Sequence, residues 1–156
     1  MRQNRRSFLK IVMKSSLLFI ISPLKPLSEM TPKGISVWES KYSVKESIDR
    51  VQQFLQVHGA TIYSRIDQQS EMVRAGLVSP PLEFLMFGNP KAGGPMMLAD
   101  PLAALDLPLK IIAWEDSNEA VWVAYNDAAF ISDRYSLPKE ISGPLELGPI
   151  ISKALA

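Results

Sequence analysis

One segment of the 156-residue sequence combines residue types that could bind an anion. Gly88, Asn89, Lys91 and Gly94 lie in a stretch rich in Gly and Pro, and a predicted helix follows it. Backbone amides, a lysine ammonium and a helix N-terminus all attract negative charge. The Gly-Lys-Ser/Thr ending of a phosphate-binding P-loop is missing, so we favour a tight loop. These four residues remain candidate ligand-binding positions.

The carboxylates and the single histidine give weaker signals. Asp67 and Glu71 are four residues apart, but a catalytic carboxylate pair also needs a cleft and unequal surroundings, which a sequence does not reveal. Glu115 and Asp116 fall in a predicted hairpin turn, where solvated acids are expected. His58 stands at the predicted end of the first helix, where the helix dipole favours a cation. We interpret His58 as a capping or surface residue.

The composition excludes several classes of site. The chain has no cysteine and one histidine, which excludes zinc–cysteine sites, iron–sulfur clusters, disulfides, a cysteine nucleophile and sites with several histidines. Met72, Met86, Met96 and Met97 could together form a soft thioether site for copper, although methionine more often fills a core. We predict no catalytic residue, no metal site and no cofactor.

The nearly balanced total of 17 basic and 16 acidic residues conceals two unlike parts. Residues 1–33 contain seven basic residues and one acidic residue, whereas residues 34–156 have an excess of five acidic residues. A basic N-terminus calls for a search for a targeting segment. The acidic remainder has no basic stripe, so nucleic acid is not predicted as a partner.

The first 33 residues are organised like an export signal. Basic residues precede an apolar run from Ile11 to Ile21, which is shorter than the roughly 20 residues of a membrane-spanning helix. The twin-arginine pattern is matched by Arg5, Arg6, Phe8, Leu9 and Lys10. We therefore predict that residues 1–33 are a twin-arginine-type signal and linker. This signal would engage the twin-arginine translocon and direct the chain to the periplasm or cell envelope.

A general secretory signal and a disordered basic tail are the alternatives for this segment. No clear Ala-x-Ala cleavage site follows the apolar run. If the segment is not removed, it would anchor the chain, and contact with a membrane is expected only through it.

The remaining sequence predicts a two-layer α+β domain. Alternating residues predict strands over Gly34–Tyr42 and Ala60–Asp67, and a nearly continuous apolar run predicts one over Leu82–Phe87. Two further strands are predicted over Leu109–Trp114 and Ala120–Tyr125. Between the first two strands, Ser43 is the predicted N-cap of a helix that ends at Gly59. The last two strands are too close for a parallel crossover. We therefore expect a mostly antiparallel five-stranded sheet with helices on one face.

The predicted domain covers residues 34–137, and a C-terminal tail follows over residues 138–156. We expect Trp38, Tyr42 and Tyr63 on the free face of the sheet. An exposed apolar patch of this kind usually marks a contact surface. A second copy of the chain would cover this face, which predicts a homodimer.

Several blocks of sequence resemble the domain of unknown function 302 family. They are Gly59-Ala60-Thr61, Arg65-Ile66-Asp67, Phe87-Gly88-Asn89-Pro90-Lys91-Ala92-Gly93, Pro95-Met96-Met97, Leu107-Pro108-Leu109-Lys110, Ala113-Trp114-Glu115-Asp116 and Val121-Trp122-Val123-Ala124-Tyr125-Asn126. The resemblance implies a small α+β domain, similar to the TATA-box-binding-protein-like folds and often dimeric, with no established reaction.

The resemblance also draws attention to Asp67 and Gln68. Many members of the family have a histidine directly after the aspartate that matches Asp67. A histidine could bind a metal or transfer protons, whereas Gln68 can only donate and accept hydrogen bonds. Asp67 and Gln68 are therefore candidate ligand-binding residues, and an activity that needs the histidine is not expected.

Together these observations predict an exported domain of the cell envelope that binds a small ligand or a partner without catalysis. The alternatives are an enzyme or accessory factor acting on a small molecule between sheet and helices, and a thioether copper binder. A deep pocket joining the Gly88–Gly94 segment to Asp67 and Gln68 would favour an enzyme. A crevice filled by Met96, Leu98 and Leu105 would favour the non-enzymatic domain.

Overall fold

The computed structural model describes residues 31–156, so the predicted export residues Arg5, Arg6, Phe8, Leu9 and Lys10 lie outside the described residues. Within residues 31–156, no helix is long and apolar enough to cross a membrane. The strands are β1 (Ile35–Ser40), β2 (Thr61–Asp67), β3 (Leu82–Gly88), β4 (Leu109–Glu115) and β5 (Val121–Asn126). The α-helices are α1 (Val44–Val57), α2 (Gln68–Arg74), α3 (Pro90–Ala99), α4 (Ala128–Arg134), α5 (Lys139–Ser142) and α6 (Gly148–Ala154), with 3₁₀ turns at Pro101–Leu105 and Gly143–Leu145.

The five strands form one antiparallel sheet in the order β1-β5-β4-β3-β2. β4 and β5 are joined by a short hairpin, as their spacing predicted. The first strand pairs with the last, and Trp38 lies opposite Val123. Helices cover one face of this sheet, which confirms the predicted two-layer α+β fold.

Helix α1 forms the centre of the helical layer. It begins as predicted, with the Ser43 hydroxyl accepting a hydrogen bond from the Glu46 amide at 3.2 Å. Its apolar stripe is buried against the sheet, and the stripe consists of Val44, Ile48, Val51 and Leu55. At its other end, His58 is the C-cap and Gly59 has a φ of +80°, a left-handed conformation that favours glycine.

Helix α3 corrects the prediction of a loop over residues 88–95. The chain is helical from Pro90, because Asn89 caps the helix by accepting a hydrogen bond from the Lys91 amide at 2.9 Å. Pro90 suits the first turn, where an amide hydrogen is not needed. Pro95 lies inside the helix, where it removes one backbone hydrogen bond. Burial of Met96 against the core compensates for that loss.

The C-terminal segment, residues 138–156, packs into the same core as α1. Leu145, Leu147 and Ile151 are almost completely buried and belong to the main apolar cluster. The Arg50 guanidinium of α1 donates to the Ala154 carbonyl at 2.9 Å. The segment therefore completes the helical layer of the domain.

The two faces of the sheet differ from the prediction. Trp38 lies on the helical face, where its Nε1 donates to the Tyr125 hydroxyl at 3.1 Å. Tyr42 follows β1 and stacks under the Arg50 guanidinium, 4.1 Å from the ring centre. The open face instead carries an apolar row that crosses all five strands, formed by Val37, Ala124, Ile112, Phe84 and Ile66.

Candidate functional site

A cavity of about 240 Å³ lies beneath the C-terminal end of α1. The facing ends of β2, β3 and β4 form its floor, α3 forms one side, and the C-terminal segment forms another. Its apolar lining includes Leu55, Phe87, Met96, Met97, Leu147 and Ile150. A concave apolar site with a few polar groups is the usual form of a small-molecule site.

The polar side chains of the lining are His58, Tyr63 and Asn89. No Asp, Glu, Lys or Arg among the described residues lines the cavity. The cavity is therefore apolar and uncharged, and its hydrogen-bonding side chains lie at exposed positions of the lining.

His58 is held in place by its own helix. Its Nδ1 lies 2.7 Å from the Phe54 carbonyl oxygen, and its ring stacks on the Phe54 ring with 4.2 Å between centroids. A carbonyl oxygen can only accept, so Nδ1 carries the hydrogen and Nε2 of the neutral ring is an acceptor. Nε2 has no hydrogen-bond partner among residues 31–156.

Asn89 links the start of α3 to the end of α1. Its Oδ1 accepts from the Lys91 amide, and its Nδ2 donates to the Gly59 carbonyl at 3.2 Å. Gly88, beside it, pairs with Thr61 in the sheet. These contacts fix the distance between α1 and α3 and thereby keep the cavity open between them.

The structure separates the candidate ligand-binding residues into two groups. Gly88 and Asn89 line the cavity, whereas Lys91 and Gly94 do not. Asp67 and Gln68 lie near the other end of β2, where Asp67 pairs with Glu83. A strand rises about 3.3 Å per residue, which puts the ends of β2 roughly 20 Å apart. The cavity therefore does not include Asp67 or Gln68.

Asp67 has a structural role at the start of α2. It accepts hydrogen bonds from the Ser70 hydroxyl at 2.6 Å and from the Ser70 amide at 2.9 Å. The Ser70 hydroxyl, followed by the Ser70 amide, lowers the pKa of Asp67. Glu71 forms an ion pair with Arg74 on the same exposed helix. Both carboxylates are engaged locally and do not face a common cleft.

The four methionines considered for copper are dispersed. Met96 and Met97 line the cavity, whereas Met86 lies on the open face of the sheet opposite Lys110. Met72 belongs to α2. Among residues 31–156, no group of three or more His, Asp or Glu side chains could hold a metal ion.

Sequence reasoning did not find most of the cavity lining. Tyr63 was expected on the free face and is half exposed, and its ring beside Gly88 also contributes to the cavity lining. Leu145, Leu147 and Ile150 were placed in a tail outside the domain. The one signal for them was the apolar spacing of these residues after Pro144.

An antiparallel sheet covered on one face by helices places this structure in the two-layer α+β class. The model of one family, described as Domain of unknown function DUF302, matches residues 37–154. The chain belongs to this family. The match includes most of the C-terminal segment, in agreement with its burial in the core.

A solved structure supports the fold assignment. The crystal structure of an uncharacterized conserved DUF302 protein from Bacillus stearothermophilus is similar, with a TM-score of 0.67 and 18% sequence identity. The similarity covers 80% of this chain and 97% of that chain. At this identity, the likeness concerns the fold.

Curated relatives are similar over a larger share of this chain than of their own length. "Fluoride-specific ion channel FluC 1" of Brucella suis biovar 1 (strain 1330) is 36% identical over 118 residues, which cover 76% of this chain and 46% of the relative. The protein of the same name from Brucella abortus biovar 1 (strain 9-941) has the same identity, and the match covers 44% of it. This chain spans less than half the length of these relatives.

Proposed function

We propose that this chain is an exported domain of the cell envelope that binds a small apolar ligand without transforming it. The observation that carries the proposal is the cavity beneath α1, with its apolar lining and few polar groups. The separation of this cavity from Asp67 and Gln68 favours binding over catalysis. An enzyme would instead need a pocket that joins the Gly88–Gly94 segment to Asp67 and Gln68.

Two neighbouring glycines of α3 provide a test of the binding function. Gly93 lines the cavity and Gly94 does not, although both are helical and neither would place a Cβ closer than 4.0 Å to another residue. Gly93→Leu should fill the cavity and abolish binding of toluene, measured by isothermal titration calorimetry. Gly94→Leu should bind toluene as the parent chain does. Loss of binding in both variants, or no toluene binding by the parent chain, would contradict the proposal.

Export rests on the sequence pattern of residues 1–33. A double change of Arg5→Lys and Arg6→Lys keeps the charge but removes the arginine pair that defines the twin-arginine signal. We expect the altered chain to accumulate in the cytoplasmic fraction, whereas Arg2→Lys should leave the distribution unchanged. A chain that leaves the cytoplasm equally well without the pair would argue for another route.

Both Brucella relatives are named as fluoride-specific ion channels, and more than half of each lies outside the match with this chain. We propose that domains of this type work beside a membrane, and in this chain the predicted signal would bring the domain there.

We propose a homodimer that forms through the open face of the sheet. The apolar row of Val37, Ala124, Ile112, Phe84 and Ile66 is flanked by Trp114 and Trp122, which pair directly across β4 and β5. Rows of this kind are buried when two sheets pack face to face.

Sedimentation velocity should give a dimer for the parent chain and a monomer for Ile112→Asp. Val78→Asp, in a fully exposed loop, is the control, and a strictly monomeric parent chain would refute the interface.

A further inference from the structure

We propose that the cavity takes a small neutral aromatic alcohol, of the size of a phenol, whose hydroxyl donates to Nε2 of His58. This inference rests on the proposed binding function and specifies its ligand. Size, charge and the orientation of one imidazole ring each narrow the class of molecule.

The volume of the cavity limits the size of the ligand. A water molecule has a share of about 30 Å³ in the liquid, so a cavity of about 240 Å³ has room for a molecule of roughly eight non-hydrogen atoms. This size corresponds to one aromatic ring with one or two substituents. A long acyl chain would extend beyond this cavity into solvent.

The side chains that line the cavity determine which charge the ligand can carry. No acidic or basic side chain among residues 31–156 lines the cavity, and an unpaired ion transferred from water into an apolar site loses most of its solvation. A carboxylate or an ammonium ligand would find no counter-ion there. The ligand is therefore neutral.

The methionines and ring side chains favour an aromatic ligand. Met96 and Met97 are contributed by α3, and Phe87 is contributed by β3. Thioether sulfur atoms make favourable contacts with aromatic rings, and aromatic pairs gain stability beyond the area they bury. An aliphatic ligand of equal size would gain neither contribution.

The hydrogen bond from His58 to the Phe54 carbonyl sets the polar group of the ligand. Because Nδ1 donates to that carbonyl at 2.7 Å, Nε2 of the neutral ring is left as an acceptor. Asn89 already uses its Oδ1 and one amide hydrogen within the protein. His58 is exposed, so water reaches Nε2, and a ligand hydroxyl would replace that water as the donor.

Three probes separate this inference from the binding function itself. With the full chain, p-cresol should bind about tenfold more tightly than toluene, because one hydrogen bond is added, and benzoate should not bind. Equal affinity for p-cresol and toluene, or preferential binding of benzoate, would overturn the inference and leave the apolar binding site. Failure of both toluene and p-cresol to bind would overturn the binding function as well.

His58→Phe tests the acceptor directly, because it keeps a ring on Phe54 and removes Nε2. In this variant the ratio of the affinity for p-cresol to the affinity for toluene should fall from about ten to about one. Val57→Ala changes the exposed neighbouring residue outside the lining and should leave both affinities as they are. A loss of toluene binding in His58→Phe would assign His58 to packing and overturn the hydrogen bond.

Discussion

The hydroxyl of Ser40, at the end of β1, lies 2.7 Å from the hydroxyl of Ser47 in α1, and both side chains are buried. The Ser40 oxygen also accepts from the Tyr42 amide at 3.2 Å. This pair ties the edge strand to the central helix. Each hydroxyl satisfies a polar group that water cannot reach.

Removal of the two hydroxyls should have unequal effects. Ser40→Ala leaves the Ser47 hydroxyl and the Tyr42 amide without this partner, and should lower the free energy of unfolding by about 2 kcal/mol. Ser47→Ala should lower it by about 1 kcal/mol, because Ser40 keeps its bond from Tyr42 and alanine favours the helix. Urea denaturation would measure both values and that of the double variant. A double variant equal to the sum of the two losses would show that the serines are not coupled.

Gly34 and Gly59 have similar backbone conformations but different surroundings. Their φ values are +84° and +80°, and a Cβ on Gly34 would lie within 3.0 Å of the Phe130 ring, whereas a Cβ on Gly59 would meet nothing within 4 Å. Gly59→Ala should cost about 1 kcal/mol of strain, and Gly34→Ala about 3 kcal/mol of strain and overlap. Thermal unfolding would measure both. In a Phe130→Ala background, Gly34→Ala should cost no more than Gly59→Ala, and an undiminished cost would exclude overlap as the cause.

Asp116 should give the Trp122 indole a pH-dependent signal. Its carboxylate accepts from Trp122 Nε1 at 2.9 Å and from the Asn118 amide at 2.8 Å. The Trp122 indole, followed by the Asn118 amide, lowers the pKa of Asp116. A lowered pKa means that the carboxylate stabilises the fold above the unfolded-state pKa of about 3.9, and that this stabilisation is lost as the pH falls through the folded-state pKa.

Nuclear magnetic resonance of the indole N–H groups would follow this titration. The Trp122 resonance should shift at a pH below 3.9, the unfolded-state value. The Trp38 resonance should not follow this transition, because its partner is the Tyr125 hydroxyl. Asp116→Asn keeps an acceptor oxygen and should abolish the Trp122 transition. Its persistence in Asp116→Asn would assign the transition to another group.

The C-terminal segment should contribute to the stability of the whole domain. Ile151 is completely buried, whereas Ser152, its neighbour in α6, is exposed. Ile151→Ala should lower the free energy of unfolding by about 2–4 kcal/mol through a cavity in the core. Ser152→Ala should change it by less than about 0.5 kcal/mol. Equal effects in guanidinium denaturation would mean that the segment folds apart from the core.

The sheet and the first helix were predictable because local rules determine them. Alternation located β1 and β2, an apolar run located β3, and the short connection between β4 and β5 required those two strands to be antiparallel. Ser43 was identified as the N-cap from its spacing to Glu46, and their hydrogen bond confirms it. Here local propensity and tertiary burial agree, as in a consistently encoded fold.

Alternation does not reveal which side of a strand faces the helices. In β1 it separates Ile35 and Val37 from Trp38 and Ser40, but the choice of the buried side depends on partners distant in sequence. The Tyr125 hydroxyl and Ser47 place Trp38 and Ser40 on the helical side. In the same way, the Gly and Pro content of α3 predicted a loop, and tertiary burial of Met96 outweighed it.

The cavity was only partly predictable. Gly88 and Asn89 were identified because their types suggest a binding loop, and they do line it. His58 and Leu147 come from elements that meet only after folding, so no local pattern joins them. Asp67 and Gln68 became candidates through the family resemblance, and the length of β2 separates them from the cavity.

The pairing of β1 with β5 determines how late the sheet can close. During synthesis, β1 leaves the ribosome before the other described strands, and β5, its one partner among residues 31–156, follows about 80 residues later. Until then β1 is an unpaired strand, whose free amide and carbonyl groups can pair with another chain. Bringing β1 and β5 together across the long chain segment between them also slows folding relative to the formation of a hairpin. The β3–β4–β5 hairpins can therefore form a nucleus before the edge strand docks, so the N-terminal strand is the last part of the sheet to be secured.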